Sequence, residues 1–575
     1  MRISKVRIIG YRNFSSALIN FEEKTLILGA NDVGKTNLLR AIRLLLDNSI
    51  SDAELEPRES DFHIEADGKQ ADKIQIVVKL SDIKEDSVIA KLKGWISNDG
   101  STYVRYIATR ADLEYTLEIG HSPKDLEQIP SRHYLRHIHF KYVESTRKID
   151  EYIQREKRYL LKLAKQNRGE AEIGSDTLKE SEIQVTLNVA NKKINELAYV
   201  SEAAGAVNDE LKKISHHHAG YKVGLEAQSL NFSDFVSRLR LGAKAGDRSI
   251  DLGGDGRNNQ ILVGLWKAKS EIEHEVGTEA IIYCIEEPEA HLHPHQQRKL
   301  AAYLVGELKG QVIVSTHSAH IASKFSPDGV IRLHERNGSS LAASGGCAKC
   351  VDAAWNAMGY RMSVIPAEAF FADAVLLVEG PSEVLFYRQL AEQLNLDLDY
   401  WNISVIPVDG VDFDVFIKIL NALEISWVLR TDNDVAKVPW SKPAKYRFVG
   451  LHRALALAGS KKTYVDQDAE VSPGMLSATR AQDEVALAEK GVYISKRDLE
   501  NDLGELCSAQ FIEFSGGDDL PDAINYLQAK KALRMGEFLG QYASSLASLK
   551  DDYIARPLRH AIELASARRA TAPTK

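Results

Sequence analysis

The chain has 575 residues, 44% hydrophobic and 27% charged, with a formal net charge of −8. That length exceeds a single core at roughly 100–200 residues per domain, and the composition excludes wholesale disorder, so two large domains plus an insertion are expected. The negative charge repels nucleic acid over the molecule as a whole, which leaves any DNA contact to local basic patches. Two such patches exist: eight Lys or Arg against three acids between Arg147 and Arg168, and the late group Lys530, Lys531 and Arg534. The first reads equally well as a solvated helix face.

In chain order, Met1 to Arg7 alternates like a strand and does not lead into an apolar block. No run of about 18 apolar residues follows anywhere, so the reading is a cytoplasmic protein with no membrane partner. Thr25-Leu26-Ile27-Leu28 then runs into Gly29-Ala30-Asn31-Asp32-Val33-Gly34-Lys35-Thr36 and an apolar-periodic segment from Asn37 to Leu46. Strand, glycine-rich loop and helix in that order form a phosphate loop. Gly29 and Gly34 let backbone N–H groups wrap phosphate, Lys35 reaches the β- and γ-phosphates, and the Thr36 hydroxyl ligates Mg²⁺. Asn31 and Asn37 belong to the same candidate ATP site.

Residues from about 74 to 120 read as further strands, and from about 145 to 235 the sequence turns long, charged and helical in period. A strand–helix–strand pattern returns near Ala280. The predicted α/β ATPase is therefore split into 1–145 and 236–345 around a helical insertion at 146–235. Ile281-Ile282-Tyr283-Cys284-Ile285 is a buried strand that delivers Glu286, to support the Mg²⁺ shell, and Glu287, to orient or deprotonate the attacking water. Strand Gln311–Val314 delivers Ser315-Thr316-His317-Ser318, where His317 reaches the γ-phosphate. Taken alone, that histidine is more often a packed one.

A connector at 346–368 leads to a second α/β domain at 369–575. Strand Val375–Val378 ends in Glu379-Gly380-Pro381-Ser382-Glu383, and about fifty residues on Trp427-Val428-Leu429 delivers Arg430-Thr431-Asp432-Asn433-Asp434. Acids at the ends of parallel strands are hard oxygen ligands for Mg²⁺ or Mn²⁺. Without Glu379 upstream, Asp432-Asn433-Asp434 is more simply a surface turn. Asp498-Leu499-Glu500-Asn501-Asp502-Leu503 and Tyr526-Leu527-Gln528-Ala529-Lys530-Lys531 follow. The four cysteines, Cys284, Cys347, Cys350 and Cys507, form no disulfide framework. Cys347 and Cys350 have zinc-knuckle spacing without a second pair, and His216-His217-His218 reads as a solvated helix end.

Glu-Glu-Pro-Glu, then Leu292-His293-Pro294 and Ser-Thr-His-Ser, resembles the ABC-type ATPase head of the OLD (overcoming-lysogenization-defect) family. The acids after Ala374–Val378 and Trp427–Leu429 resemble the Toprim domain that family carries. The motif order from Glu379 to Lys531 is similar to the nuclease subunit of Gabija anti-phage systems, with retron-associated OLD nucleases as close relatives.

The resemblance implies a metal-dependent DNA endonuclease under the control of an attached ATPase. Glu379, Glu383, Asp432, Asp434 and an acid from Asp498 or Glu500 would bind metal, and Lys531, or Lys530 one residue away, would neutralise the reacting phosphate. It also implies that Gly253–Gln260 serves as a signature loop for a partner head, in a homodimer or homotetramer. The neighbouring-gene partner would be helicase-like for Gabija, or a reverse transcriptase with its RNA–DNA product for a retron. An ATP-gated DNA clamp that does not cut is the alternative. A topoisomerase or primase lacks support, since neither a winged-helix tyrosine nor a zinc ribbon is evident.

Overall fold

A computed structural model describes residues 1–144, 149–214, 232–239, 243–245, 248–250, 279–290, 292–350, 367–437, 445–459, 467–468 and 483–570, with 261, 264–265 and 268 between them. The predicted signature loop Gly253–Gln260 and the His216–His218 run lie outside the described residues. The chain forms two compact units, Met1–Ser145 with Gly277–Lys575, and Thr146–Val276.

The first unit opens with an antiparallel six-stranded sheet ordered Phe14–Asn20, Arg2–Tyr11, Lys73–Ser81, Thr102–Thr109, Tyr115–Ser122, Asp125–Ile129. Its strands alternate: in Thr102–Thr109 every second residue is buried, as a sheet with one solvated face requires. The adjoining sheet runs Ser339–Ala342, Val330–Arg336, Lys24–Leu28, Gln311–Ser315, Ala280–Glu286, Ile138–Val143, and is parallel apart from the Ser339–Ala342 edge. Here the pattern is continuous. All residues of Ala280–Glu286 and Gln311–Ser315 are buried, because helices or a second sheet cover both faces. Gln311 ties the sheets together: its amide accepts from the Ile3 N–H at 2.7 Å and donates to the Ile3 and Glu22 carbonyls at 2.8 and 3.0 Å.

The C-terminal sheet is wholly parallel, ordered Ile403–Pro407, Ala374–Val378, Ser426–Thr431, Val492–Ile494. Its core includes Leu376, Val378, Phe386, Tyr387 and Val428 beneath helix Pro381–Gln393, with Leu503, Phe511 and Phe538 from the later helices. Arg332, on the strand beside Lys24–Leu28, joins the two halves of this unit. Almost fully buried, it donates to the Leu423 and Glu424 carbonyls at 3.3 Å each and to the Ala372 carbonyl at 3.0 Å. Burial pushes its pKa down to about 9, which still leaves it charged at neutral pH.

The second unit is mainly helical where described, with Ile149–Gln166, Glu170–Asn195 and Ala198–Ile214, and it holds one short antiparallel strand pair, Ala243–Ala245 with Arg248–Ile250. Part of the basic patch predicted here turns inward: Lys157 is buried and donates to the Leu239 carbonyl and to Gln154 at 2.8 Å. Arg168 pairs with Asp176 at 2.5 Å and Lys165 with Glu180 at 3.3 Å, so those two cations are spoken for by acids of the same unit. Among the described residues no helix is long and apolar enough to cross a membrane.

Candidate active site

The phosphate loop follows strand Lys24–Leu28 and ends in helix Lys35–Leu46. A Cβ on Gly29 would stand 2.6 Å from Val33 Cγ1 and 2.7 Å from the Leu333 carbonyl oxygen, at φ +154°, so this position admits only glycine without rearrangement. Gly34 takes φ +93° at the helix start. Lys35 Nζ donates to the Gly29 and Ala30 carbonyls at 2.9 Å each, which holds the ammonium inside the loop. Burial lowers its pKa, and the carboxylates of Glu287, Asp32, Glu286 and Glu289 work against that.

Asn31, Gly34, Lys35, Thr36, Asn37, Glu287 and His317 line one cavity of about 620 Å³. Asn13, not anticipated from sequence, lines it too, and its amide donates to the Asp32 carbonyl at 3.0 Å. Glu286 is buried with Oε1 lacking a hydrogen-bond partner; burial raises its pKa, opposed by the Tyr142 and Thr36 hydroxyls. Glu287 sits at φ +45°, a costly conformation for a non-glycine residue, with its N–H held by the Ser315 carbonyl at 2.8 Å. Its carboxylate stands 3.8 Å from His317 Nε2. Burial and the Lys35 charge lower the His317 pKa, so a neutral imidazole faces the cavity. Replacing Lys35 with Ala is expected to weaken nucleotide binding about 10–100-fold in a fluorescent-ATP titration, the effect of removing one or two charged hydrogen bonds. Unchanged affinity would refute this placement.

At the C-terminal sheet, strand Ala374–Val378 ends at Glu379 and strand Ser426–Thr431 just before Asp432. The two acids are adjacent: Glu379 Oε1 accepts from the Asp432 N–H at 2.8 Å, the Thr431 hydroxyl at 2.5 Å and Arg453 Nη1 at 2.7 Å. Asp432 is buried, and that burial pushes its carboxyl up to about 8, with Arg430 opposing and Glu379 and Glu383 adding to the rise. Glu383, in the first turn of Pro381–Gln393, and Glu500, in Leu499–Leu506, are also buried with pKa values raised by desolvation. Neither oxygen of Glu500 has a hydrogen-bond partner, and Lys531 Nζ lies 3.7 Å away.

Asp498 differs from Glu500. It caps Leu499–Leu506, accepting from the Asn501 N–H and side-chain amide at 2.7 Å each, and from Gln528 at 2.8 Å. Lys530 precedes helix Lys531–Tyr542 as its cap residue, whereas the Lys531 charge is coupled to Glu500, Asp432 and Glu383. Asp434 is half-exposed and accepts from Arg453 Nη2 at 2.6 Å. Beneath the acids, Arg430 forms a buried pair with Asp502 at 2.8 Å.

Sequence reasoning missed Arg453, Arg430 and Asn13. Cys347 and Cys350 are thiols whose burial pushes them up to about 12. Among the described residues, no three acid, histidine or cysteine side chains stand close enough to ligate one ion without adjustment. The acids still suit a divalent ion: Glu500 has two buried oxygens without partners, and burial disfavours the charge on Glu383, Asp432 and Glu500 together.

These features define an ATP-binding head joined to an acid-edged parallel domain of Toprim type. Residues 370–434 match the overcoming lysogenization defect protein-like TOPRIM domain, and residues 1–218 and 126–322 match the AAA ATPase domain. The chain belongs to the AAA ATPase family over that N-terminal part, and its C-terminal part carries a Toprim domain of the OLD type, the combination of an ATP-binding nuclease. It is similar to endonuclease GajA of Bacillus cereus (strain VD045), 25% identical over 583 residues that cover 95% of this chain and 96% of that one. The OLD nuclease of Thermus scotoductus is 30% identical over 216 residues, 34% of this chain and 39% of that one. A crystal structure of an Smc head bound to the C-winged helix domain of ScpA covers 60% of this chain and 97% of its own, at 17% identity and a TM-score of 0.39.

Proposed function

We propose that this protein is a divalent-metal-dependent DNA endonuclease whose cutting is governed by ATP with Mg²⁺ at the phosphate loop, and that it acts in anti-phage defence as the nuclease subunit of a Gabija-type system. The observation that carries the metal dependence is Glu500, buried, without a hydrogen-bond partner, beside Lys531 and coupled to Glu383. Glu379, Glu383, Asp432, Asp434 and Glu500 would hold Mg²⁺ or Mn²⁺. Asp498 drops behind Glu500 because one of its oxygens is committed to the helix cap and the other to the Gln528 amide. The bound metal supplies an activated water and stabilises charge on the leaving oxygen. Lys531 faces the acids and is the residue to neutralise the scissile phosphate, ahead of Lys530.

At the other site, Lys35 and Thr36 would hold the nucleotide phosphates and Mg²⁺, Glu286 would support the metal shell, Glu287 would orient water and neutral His317 would donate to the γ-phosphate. The division into 1–145 and 236–345 for the head, 146–235 for a helical dimerisation insertion and 369–575 for the nuclease belongs to the same proposal, as does a homodimer or homotetramer in which heads pair. Full similarity in length to an endonuclease GajA supports Gabija over the retron alternative. A helicase-like neighbouring gene would agree, and a reverse transcriptase would reverse that choice.

The test incubates plasmid DNA with the protein and Mg²⁺ or Mn²⁺, with and without ATP, beside Glu379→Ala. Wild type is expected to convert supercoiled DNA to cut forms, and the variant to lose on the order of 100-fold in rate. Cutting that survives the substitution would overturn the assignment of the site.

A further inference from the structure

We propose that Arg453 is a built-in counter-cation of the acidic sheet edge, competing with divalent metal for Glu379 and Asp434 and so setting the metal affinity of the site. The proposal rests on reading those two acids as metal ligands.

The geometry of the guanidinium comes first. Nη1 donates to Glu379 Oε1 at 2.7 Å and to the Thr431 hydroxyl at 2.6 Å, while Nη2 donates to Asp434 Oδ2 at 2.6 Å. One planar fork therefore spans acids contributed by two different strands. The Arg453 and Glu379 side chains are 12% and 18% exposed, so salt screens their pairing only in part. A divalent ion takes carboxylate oxygens at about 2.0–2.6 Å. A guanidinium nitrogen and a metal cannot both occupy the same face of the same oxygen, and two cations so close repel each other.

The helix that carries Arg453 is built onto the site. Val449–Leu457 starts against the acidic segment: the Gly450 N–H donates to the Asp434 carbonyl at 3.2 Å. A Cβ on Gly450 would stand 2.1 Å from the Asp432 carbonyl oxygen and 2.6 Å from Asn433 Cα, so only glycine lets the helix lie this close. A step of three residues puts Arg453 on the same helix face as Gly450, above the acids. Lys531 behaves differently. At 3.7 Å from Glu500 it leaves both Glu500 oxygens without a hydrogen bond, whereas Arg453 takes up the oxygens it faces. The two cations thus divide the acids into a group left open and a group already engaged.

The experiment measures Mn²⁺ binding to the full-length, nucleotide-free protein by isothermal titration calorimetry, together with the rise in melting temperature on adding Mn²⁺. Wild type, Arg453→Gln, Arg453→Lys and Glu379→Gln are compared. Arg453→Gln is expected to bind Mn²⁺ about 10–100-fold more tightly, the effect of two charged hydrogen bonds to Glu379 and Asp434 no longer to be broken, and to gain more thermal stability from the ion. Arg453→Lys, which keeps the charge but not the fork, should fall between. Unchanged or weaker Mn²⁺ binding in Arg453→Gln, with Glu379→Gln still abolishing it, overturns the competition while leaving the metal site standing. Absence of any Glu379-dependent Mn²⁺ binding in wild type overturns both.

Discussion

Replacing Glu500 with Gln is expected to stabilise the metal-free protein by about 1–3 kcal/mol while slowing DNA cutting on the order of 100-fold. The two effects have one cause. Glu500 is 1% exposed and neither of its oxygens has a side-chain hydrogen-bond partner, so its desolvated charge is offset mainly by Lys531 at 3.7 Å and, more weakly, by the Arg430 charge. An amide of the same shape removes that cost. Lys531 is not stranded by the change, because its side chain is half-exposed and its charge is still coupled to Asp432 and Glu383. Binding of a divalent ion reverses the account, since the oxygens that are costly without metal become its ligands. Asp498→Asn is the control: asparagine caps a helix as well as aspartate does, and the Asp498 oxygens are already committed to Asn501 and Gln528. Melting curves in EDTA and in Mn²⁺, paired with plasmid cleavage, decide the matter. A Glu500→Gln protein that melts lower in EDTA, or that cuts at the wild-type rate, removes Glu500 from the site.

Where function is written in contiguous residues, the sequence was readable. Gly29 to Thr36 carries its loop, helix start and lysine within eight positions, and the structure gathers Asn31, Lys35, Thr36 and Asn37 around one cavity with Glu287 and His317. The strand ends at Glu379 and Asp432 were legible for a similar reason: fully apolar parallel strands announce themselves, and acids directly after them must lie at one sheet edge. Arg453 was not legible, because it reaches the acids through the docking of a helix that follows a weakly patterned stretch. Gly450 and Arg453, three apart within a largely apolar helix, are the local trace of that docking. The cap role of Asp498 is legible too. An aspartate three residues before an asparagine at the start of an apolar-periodic segment is a helix cap, which commits one of its oxygens to backbone. Lys530 and Lys531 could not be separated by pattern, since one residue rotates a helical side chain by about 100° and the helix start decides which one stands beside Glu500.

Replacing Arg332 with Leu is expected to cost about 3 kcal/mol of stability and to abolish the response of DNA cutting to ATP, while leaving ATP affinity within about 2-fold. Arg332 pairs in register with Leu28, the residue before Gly29, and the next residue, Leu333, presents its carbonyl to Gly29 itself. Ser340, on the antiparallel partner strand, donates to the Val33 carbonyl at 2.8 Å inside the phosphate loop. This hairpin therefore backs the nucleotide site. From its other side the Arg332 guanidinium holds the Ala372 carbonyl, two residues before strand Ala374–Val378, and the Leu423 and Glu424 carbonyls, just before strand Ser426–Thr431. Those two strands deliver Glu379 and Asp432. One buried cation thus grips the starting points of both acid-bearing strands while lying beside the strand that enters the phosphate loop, a mechanical route by which a bound nucleotide would shift the acids. Leucine is apolar but shorter, and it leaves the three carbonyls without the guanidinium donor, which sets the stability cost. The measurement is plasmid cleavage across an ATP titration, with fluorescent-ATP binding run in parallel. A variant that folds, binds ATP and still changes its cutting rate with ATP as wild type does would show that the signal passes elsewhere.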